Sequence, residues 1–443
     1  MDLLQTLTAF LALARNAGCE RLCVAYSGGI DSHVLLEQLN SLNQGGTTIP
    51  LDAVYINHNL QDDSKRWGEH CQQVCLTMKI PFQQIEVNAT PEVGESPEEK
   101  ARSVRYQALE NQLLANQWLV TAQHTDDQAE TLLLQLLRGS GAHGLSAMPT
   151  KKILGYGELH RPLLTVSKAQ IEEYAKQNHL SWIDDPSNDD QAIPRNYLRK
   201  TVIPAFEKMW PETIQMLERS ASWLGEAAEM MTEIAEQDFI DCQGDYQSLC
   251  LDKLKTLTSI RQKNLLRYWF HQRGLKRPGN EKLLLINEQI INAREDANPR
   301  LDWQGISLRR FKNKLFMLSK WVETGIDWQL SWGANSSVLL VNKIGVLSVS
   351  EVLGQGLKKT YQQQNLELRL RKGGEHCHPV ERNNNRSLKK LFQEYSVPPW
   401  YRDSWPLLYC DNQLIAVPGL FICKGFEAEE SEAGLKFSIE FNY

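Results

Sequence analysis

The sequence contains no Cys-x-x-Cys motif. Its nine cysteines are scattered over 443 residues, and an odd number without dense spacing is typical of reduced thiols rather than of a disulfide framework. The missing motif also argues against an iron–sulfur cluster held by paired thiolates. Cys71 and Cys75 are four residues apart in a predicted helix, and we interpret them as a buried apolar pair rather than half a metal site.

Long hydrophobic runs are absent as well. No stretch approaches the roughly 18 to 20 apolar residues of a membrane span, and residues 1–15 are amphipathic without the basic start and apolar core of a signal peptide. We therefore expect a soluble, cytoplasmic protein. The net charge of −6 gives no overall basic signature for nucleic acid, so any RNA contact requires local basic patches.

Strand and helix signals alternate in the first half of the chain. The pattern predicts strands at 22–26, 51–56, 82–87 and 118–121, and helices at 32–42, 64–78, 97–117 and 126–137. Further helical signals follow at 167–178 and 201–218, the first opened by a capping box of Ser167 and Gln170. Such alternation predicts an α/β fold, a parallel sheet covered by helices.

Chain length predicts more than one domain, because a single core rarely organises 443 residues. We predict an α/β catalytic domain at 1–220 and a mainly helical domain at 221–325, ending in a strand-like stretch at 306–318. Short strands separated by Gly, Asn and Pro, at 337–341, 345–350, 366–371 and 413–418, predict a small β-rich α+β domain at 326–443.

A glycine-rich turn follows the first predicted strand and opens a helix. It reads Ser27-Gly28-Gly29-Ile30-Asp31-Ser32. Glycines let backbone N–H groups approach an anion, and the helix N-terminus adds the positive end of its dipole. The carboxylate of Asp31 beside phosphate is explained by Mg²⁺. A plain glycine turn with a helix-capping Asp or Ser is the structural alternative.

A second polar cluster, His124 to Thr131, stands where a strand ends and a helix begins. Thr125 and Gln128 are spaced for a capping box. Asp127 and Glu130 are three residues apart, so both carboxylates lie on one helix face, at the sheet edge where α/β folds bind ligands. Acidic residues that merely complement the helix dipole are the alternative.

These motifs resemble a known enzyme family. No lysine-bearing Walker loop is present, since 354–360 lacks the spacing, but residues 27–32 resemble the SGGxDS signature of PP-loop enzymes. Residues 124–131 are similar to the HxDDxxET motif of tRNA(Ile)-lysidine synthetases, and 138–145 to that family's glycine-rich continuation. Other matches are the ARxxRY helix at 101–106, RPLL at 161–164, DPxN at 185–188 and RNxLR at 195–199. Segments 371–375, 389–394 and 398–400 resemble the C-terminal domain of longer members.

The resemblance implies a reaction and its substrates. Family members convert the wobble cytidine, position 34, of tRNA(Ile) with a CAU anticodon to lysidine, using ATP, Mg²⁺ and free L-lysine. The cytosine C2 oxygen attacks the α-phosphate of ATP, and the lysine ε-amine then displaces AMP at C2. A homodimer is an assembly that the family allows.

On this basis each candidate residue receives a role. We assign ATP to Ser27, Gly28, Gly29, Ile30, Asp31, Ser32, His58 and His124, with Asp31 also holding Mg²⁺. Lysine is assigned to Asp127 and Glu130. The predicted catalytic set is Asp31, Asp127, Glu130, Arg102, Arg105 and Arg195. For His124 a structural role, and for the arginines a solvated helix face, are the alternatives.

A local basic excess in the third predicted domain suggests RNA contact. The predicted tRNA-binding residues are Arg199, Arg371, Lys372, Lys389, Lys390, Trp400 and Arg402. Trp400, Tyr401 and Phe392 are interleaved with the charges and could stack on unpaired bases. A mixed-charge β surface with core aromatics is the alternative.

Three other functions compete with this prediction. A tRNA thiolase is disfavoured by the missing Cys-x-x-Cys motifs, and a glutamine-using synthetase by the lack of an amidotransferase module. A non-catalytic RNA-binding protein on a degenerate nucleotide fold has no need to keep Asp31, Asp127 and Glu130 together.

Overall fold

The computed structural model describes residues 2–44, 48–58, 64–90, 97–244, 248–294, 297, 299–303, 305–319, 328–334, 337–340 and 345–441. The chain divides into two compact units, Met1–Met230 and Met231–Tyr443. The three-domain boundaries given above stay a prediction. In the described part of the chain, no helix is both long enough and apolar enough to cross a membrane.

A six-stranded sheet organises the first unit. Its strands are β1 (Arg21–Ala25), β2 (Leu51–Asn57), β3 (Phe82–Glu86), β4 (Gln117–Val120), β5 (Lys151–Leu154) and β6 (Gly157–His160). They lie in the order β3-β2-β1-β4-β6-β5, and all neighbours are parallel except β5 and β6. The predicted parallel α/β sheet is therefore confirmed.

Ten helices are described that begin in this unit. They are α1 (Leu3–Asn16), α2 (Ile30–Asn43), α3 (Ser64–Met78), α4 (Pro97–Glu110), α5 (Thr125–Leu137), α6 (Ala142–Leu145), α7 (Lys168–Gln177), α8 (Pro194–Tyr197), α9 (Ile203–Glu207) and α10 (Thr213–Cys242). The capping box of Ser167 and Gln170 is confirmed at the start of α7. Cys71 and Cys75 are fully buried in the core between α3 and the sheet, as predicted.

Two predicted helices are wrong in extent. The helix expected at 97–117 ends at Glu110, and Asn116, with φ of 60°, turns the chain into β4, which begins at Gln117. Asparagine tolerates this left-handed conformation better than most residues. The helix expected at 201–218 is two helices, α9 and α10, since Pro211 cannot continue a helix. A single π-helical turn, Leu198–Val202, precedes α9.

Helices and an antiparallel sheet open the second unit. The helices are α11 (Leu251–Thr256), α12 (Ser259–Gln272) and α13 (Asn280–Ile286), which continues as a π turn, Asn287–Ile291. The strands are β7 (Leu249–Cys250), β8 (Arg300–Trp303), β9 (Ile306–Phe311) and β10 (Lys314–Ser319). Trp269 and Phe270 of α12 fill the core between the layers. The strand-like stretch predicted at 306–318 is thus a β-hairpin.

The remainder of the second unit is rich in β structure, as predicted. Its strands are β11 (Gln329–Ser331), β12 (Val338–Leu339), β13 (Gly345–Leu353), β14 (Leu357–Lys358), β15 (Leu366–Arg369), β16 (His376–Cys377), β17 (Arg386–Ser387), β18 (Leu407–Cys410), β19 (Gln413–Val417), β20 (Phe421–Ile422) and β21 (Ala433–Phe441). Two short helices, α14 (Leu388–Glu394) and α15 (Pro399–Arg402), pack beside them. Residue 341 of the predicted strand 337–341 lies outside the described residues.

Candidate active site

The carboxyl ends of β1, β2 and β4 open into one cavity of about 800 Å³ in the first unit. This volume lies within the roughly 300 to 1,000 Å³ typical of small-molecule sites. Parallel sheets bind ligands at this edge, because their loops and helix N-termini converge there. The loop after β1, the start of α5, and residues from α4, α7 and the 182–199 segment all line it.

The loop between β1 and α2 forms the floor of the cavity. Gly29 caps α2, and the Ser32 hydroxyl donates to the Gly29 carbonyl at 3.0 Å. The backbone N–H of Ser27 donates to Ser32 Oγ at 3.2 Å, while the two hydroxyls lie 3.1 Å apart. These bonds hold the loop around the first turn of α2, whose N–H groups have no intrahelical partners. The geometry suits a bound anion.

Gly28 is the residue that makes this loop possible. Its φ is 81°, and an added Cβ would lie 2.6 Å from Ile183 Cδ1 and 2.9 Å from Cys71 Sγ. The Gly28 carbonyl accepts a hydrogen bond from the Ile183 N–H at 2.9 Å. A side chain at this position is therefore disfavoured by the backbone conformation, and it fits only if Ile183 and Cys71 shift.

The start of α5 forms one wall. His124 is the N-cap residue, and its backbone N–H donates to Asp127 Oδ2 at 3.1 Å. The capping box predicted for Thr125 and Gln128 is wrong, because tertiary partners take both side chains. The Thr125 hydroxyl donates to the Leu164 and Val166 carbonyls, and Gln128 exchanges two 2.8 Å bonds with the backbone of Met148.

His124 lies within reach of three carboxylates. Its ring nitrogens are 3.5 Å from Asp126, 3.6 Å from Asp127 and 3.8 Å from Asp31. Burial opposes protonation of this imidazole, but the three carboxylates outweigh burial and raise the pKa of His124. Burial by itself would raise the pKa of Asp126. The contacts with His124 and with the Lys168 N–H outweigh burial, so the pKa of Asp126 is lowered overall.

Glu130 is fully buried and is bound by two arginines. Its carboxylate accepts from Arg199 Nε at 2.6 Å and from Arg199 Nη2 at 3.0 Å, and Arg195 Nε lies 3.3 Å away. Burial raises the pKa of Glu130 although Arg199 opposes the shift. Asp127 Oδ1 lies 3.4 Å from Arg199 Nη2. Asp127 lines the cavity, whereas Glu130 stands behind Arg195 and Arg199, which line it.

The π turn and α8 present these arginines. Asn196, which is buried, donates to the carbonyls of Ser187 at 2.9 Å and Asp190 at 2.8 Å. The segments 185–188 and 195–199, separate in sequence, are thereby fixed to each other. π turns occur often at functional sites, since the extra residue changes which side chains share a face. Here Arg195 and Arg199 both reach Glu130.

The arginines of α4 occupy different settings. Arg102 is exposed, whereas Arg105 lines the cavity, and both guanidinium groups lie within 5.7 Å of the Tyr106 ring centroid. Burial lowers the pKa of Arg105, and Arg105 forms no ion pair with a described residue. Buried Arg161 donates to the Pro149 carbonyl at 2.8 Å. The guanidinium of Arg105 therefore suits a phosphate or carboxylate ligand.

His58 lies at the end of β2 and lines the same cavity. Burial lowers the pKa of His58, and nearby Arg105 adds to the effect. A neutral imidazole at the rim can contact a nucleotide base or ribose. The next residue, Asn59, lies outside the described residues.

Several residues that line the cavity were not predicted from the sequence. The most informative is Lys168, whose Nζ donates to Asp31 Oδ1 at 2.6 Å. Tyr55, Trp67, Glu172, Lys176 and Trp182 also line the cavity. Lys168 follows the capping Ser167 at the start of α7. A cation is unfavourable at a helix start unless an anionic partner is nearby. The position of Lys168 was therefore the sequence signal that could have predicted its pairing with a carboxylate.

The predicted tRNA-binding residues of the second unit lie on and beneath its surface. Lys389 and Lys390 are exposed on α14, whereas Arg371 Nε donates to Asp403 and Arg402 Nε to the Val397 carbonyl. Trp400 packs against Phe311 and Phe316.

The aromatic stacking surface predicted beside them is wrong for two of its rings. Phe392 is 0% exposed and Tyr401 is 1% exposed. Phe392 of α14 and Tyr401 of α15 both belong to one buried hydrophobic cluster. For these two rings the alternative prediction, a mixed-charge surface over core aromatics, is the correct one.

Comparison with known proteins matches three segments of the chain. Residues 3–206 match a PP-loop domain, 249–316 a TilS substrate binding domain and 366–439 a TilS substrate C-terminal domain. The tRNA(Ile)-lysidine synthase of Coxiella burnetii is 40% identical over 418 residues, covering 94% of this chain and 93% of the relative. That of Serratia proteamaculans is 38% identical, covering 95% and 96%. The chain belongs to the tRNA(Ile)-lysidine synthase family.

Membership in the tRNA(Ile)-lysidine synthase family confirms the family resemblance drawn from the motifs. The match to the PP-loop domain contains all the cavity residues, from Ala25 to Arg199. The other two matches fall in the second unit and include the helices and strands around Trp269 and the segment of Lys389 and Lys390. No described group of three Cys, His, Asp or Glu side chains is arranged to hold a metal ion.

Proposed function

We propose that this protein ligates the ε-amine of free L-lysine to C2 of the wobble cytidine, position 34, of tRNA(Ile) with a CAU anticodon. ATP is consumed and AMP and pyrophosphate are released. The observation that carries the proposal is the meeting of the glycine-rich loop 27–32 and Asp127 of α5 in one cavity. Relatives that are 35 to 40% identical are named tRNA(Ile)-lysidine synthase, and this name supports the same substrate and product. The product changes the tRNA from methionine to isoleucine specificity.

In the first step, the loop binds the phosphates of ATP. Backbone N–H groups of Gly28, Gly29 and Ile30 and the hydroxyls of Ser27 and Ser32 contact them, with the N-terminus of α2 behind. The cytosine O2 attacks the α-phosphorus, and the bond between the α-phosphorus and the α,β-bridging oxygen breaks, so that pyrophosphate leaves and AMP stays attached to the cytosine oxygen. Arg105 and Lys168 supply positive charge at this edge of the cavity and stabilise the negative charge that develops.

Mg²⁺ fits the residues present, and Asp31 would hold it. Mg²⁺ is usually bound by one or two carboxylates together with substrate phosphates, and Asp31 is a cavity carboxylate beside the phosphate loop. Lys168 Nζ donates to Oδ1 of Asp31 in this structure, which would leave Oδ2 to hold the ion. The ion would neutralise pyrophosphate as it leaves.

In the second step, the lysine ε-amine attacks C2 and AMP leaves. A free ammonium has a pKa of about 10.4, so the site must remove a proton before attack. Asp127 faces the cavity and binds the ammonium. Glu130, whose pKa is raised, is a stronger base than a surface carboxylate. Before Glu130 can bind the amine, Arg199 must give up part of its contact with the Glu130 carboxylate.

Arg102 and Arg195 are the remaining members of the predicted catalytic set. Arg195 donates to the Thr131 hydroxyl at 2.9 Å and borders the cavity beside Glu130, where it can contact the lysine carboxylate or a phosphate. Arg102 is exposed next to Tyr106 and can contact RNA that enters the cavity. The proposed tRNA-binding residues remain Arg199, Arg371, Lys372, Lys389, Lys390, Trp400 and Arg402.

The proposed location remains the cytoplasm, where tRNA and ATP are available. The proposed assembly remains a homodimer.

The test is transfer of radiolabelled lysine to unmodified tRNA(Ile) with a CAU anticodon, in the presence of ATP and Mg²⁺. Label should enter the RNA at position 34, with one AMP formed for each lysine. Asp31→Ala and Asp127→Asn should abolish transfer, whereas Glu173→Gln, an exposed carboxylate of α7 outside the cavity, should not. AMP release on another RNA, without lysine transfer, would retain PP-loop chemistry but refute this substrate.

A further inference from the structure

Arg199 contacts the same two carboxylates that the proposed reaction assigns to the lysine amine. Its Nε and Nη2 donate to Glu130 at 2.6 and 3.0 Å, and Nη2 lies 3.4 Å from Asp127 Oδ1. The Glu130 side chain is 1% exposed, whereas that of Arg199 is 41% exposed and lines the cavity. The guanidinium of Arg199 therefore covers Glu130 on the side from which a free amine would arrive.

The second arginine at Glu130 is held differently. Arg195 Nη2 donates to the Thr131 hydroxyl at 2.9 Å, and Arg195 Nε lies 3.3 Å from Glu130 Oε2. Arg195 thus has an anchor on α5 besides the carboxylate. Among the described residues, the hydrogen bonds and ion pairs of the Arg199 side chain all go to Glu130 and Asp127. The position of Arg199 therefore depends on these two carboxylates alone.

Displacement of Arg199 from Glu130 needs a replacement cation and a new anion. A buried carboxylate that loses its partner is strongly destabilised, so Glu130 releases Arg199 only as another cation arrives. The ε-ammonium of lysine is such a cation. The guanidinium in turn needs an anion, and guanidinium groups bind phosphate in the same bidentate geometry as carboxylate.

The loop 27–32 lies close to Arg199 through a short series of contacts. Asp127 Oδ2 is 3.6 Å from His124 Nε2, and this nitrogen is 3.8 Å from Oδ1 of Asp31 in the loop. Asp127, Asp31 and Arg199 all line the cavity. A phosphate group bound at the loop therefore competes with Glu130 for the guanidinium of Arg199.

We infer that Arg199 is a positioning residue that occupies the place of the lysine ammonium in the free protein and leaves it for a phosphate group in the cavity. This inference rests on the proposed function, which makes lysine and ATP substrates. The phosphate belongs to ATP or to the tRNA backbone, and the exchange is chemically the same for both. Because coupling between two binding sites is reciprocal, the phosphate ligand and lysine tighten each other's binding by the same factor.

The experiment is isothermal titration of L-lysine into the full-length protein with Mg²⁺ present. One series has no other ligand, a second has saturating α,β-methylene-ATP, which cannot release pyrophosphate, and a third has unmodified tRNA(Ile) instead. In the wild type, a phosphate ligand should tighten lysine binding about tenfold, a factor within the usual range for coupled sites. In Arg199→Gln, lysine should bind with the tighter Kd in every series, so that the factor falls to about 1.

Lys200→Gln is the matched control. Lys200 follows Arg199 in the π turn, and its ion pair is with exposed Asp189 rather than with a cavity carboxylate. This variant should keep the wild-type factor. A lost factor in Lys200→Gln would assign the effect to the turn as a whole and overturn the role of Arg199.

The three series also identify the source of the phosphate. Tightening by α,β-methylene-ATP alone assigns the exchange to the nucleotide, and tightening by tRNA alone assigns it to the RNA backbone. The same Kd in all three wild-type series would overturn the inference. Weak lysine binding by Arg199→Gln in every series would overturn it too, because Arg199 would then support the lysine site instead of occupying it.

A less disruptive variant decides if Arg199→Gln melts at a lower temperature than the wild type. Arg199→Lys keeps a charge beside Glu130 but cannot form both hydrogen bonds, so the factor should fall to about 3. An unchanged tenfold factor would count against the exchange. Coupled binding without transfer of lysine to tRNA would retain the exchange and refute the proposed reaction. Absence of lysine binding in every series would refute the proposed function and this inference with it.

Discussion

Gly28 is the most constrained single residue of the phosphate loop. We expect Gly28→Ala to destabilise the protein by about 2 to 5 kcal/mol, because a left-handed φ costs an L-residue about 1 to 2 kcal/mol and overpacking about 1 to 3. The added Cβ would meet Ile183 and Cys71. Urea unfolding and the KM for ATP measure the effect. Gly139→Ala is the control, because Gly139 has φ of 67° but nothing within 4 Å, so it should show the conformational cost alone.

Glu130 is a second residue whose removal should have a large effect. Glu130→Gln leaves Arg195 and Arg199 without their carboxylate, and breaking a buried pair costs about 3 to 5 kcal/mol. The Arg199 side chain is 41% exposed, so water screens part of this, and we expect about 2 to 3 kcal/mol. Lysine transfer should be lost. Equal urea midpoints for Glu130→Gln and Glu173→Gln would contradict the importance of this ion pair.

The raised pKa of His124 predicts how the stability of the protein depends on pH. Its folded pKa is raised above the usual 6.5, so the stabilisation from its protonated form is fully present below pH 6.5 and is lost as pH rises through the raised pKa. Asp126, whose pKa is lowered, stays ionised in this window. The difference in unfolding free energy between wild type and His124→Gln should therefore be larger at pH 6 than at pH 9. The same difference at both pH values would exclude a charged His124.

At the scale of elements, the π turn Leu198–Val202 orients the arginines. Deletion of Lys200 would convert this turn to α geometry and rotate the segment that carries Arg195 and Arg199 by about 100° relative to α9. We expect a folded protein with little lysine transfer. Lys200→Ala is the matched control, since it removes only an exposed ion pair with Asp189, worth about 0 to 1 kcal/mol. Retained transfer in the deletion variant would show that the register is unimportant.

Element types were largely predictable from sequence, and element ends were not. The strands of the parallel sheet and helix α3 matched their predicted positions because period and length are local signals. The turn into β4 and the division of α9 from α10 depended on Asn116 and Pro211. Thr125 and Gln128 illustrate the same limit, since local spacing allowed a capping box but distant carbonyls of 164, 166 and 148 took their side chains.

At the scale of the whole molecule, the proposed function divides the substrates between the two units. Every cavity residue lies in the first unit, so Lys389→Ala/Lys390→Ala in α14 should raise the KM for tRNA roughly five- to tenfold by removing phosphate contacts. The KM values for ATP and lysine should not change. Steady-state kinetics with each substrate varied in turn measure this, with Lys359→Ala as the control. A raised KM for ATP would contradict the division.

The sequence by itself determined the family, the parallel α/β sheet and the two motifs that carry the chemistry, because glycine turns, helix starts and the alternation of strand and helix are local properties of the chain. Tertiary structure alone decided that Lys168 meets Asp31, that Arg195 and Arg199 enclose Glu130, and that Phe392 and Tyr401 are core residues. Asp31 and Lys168 are 137 positions apart. Such pairs form only when the whole sheet assembles, so no local pattern records them.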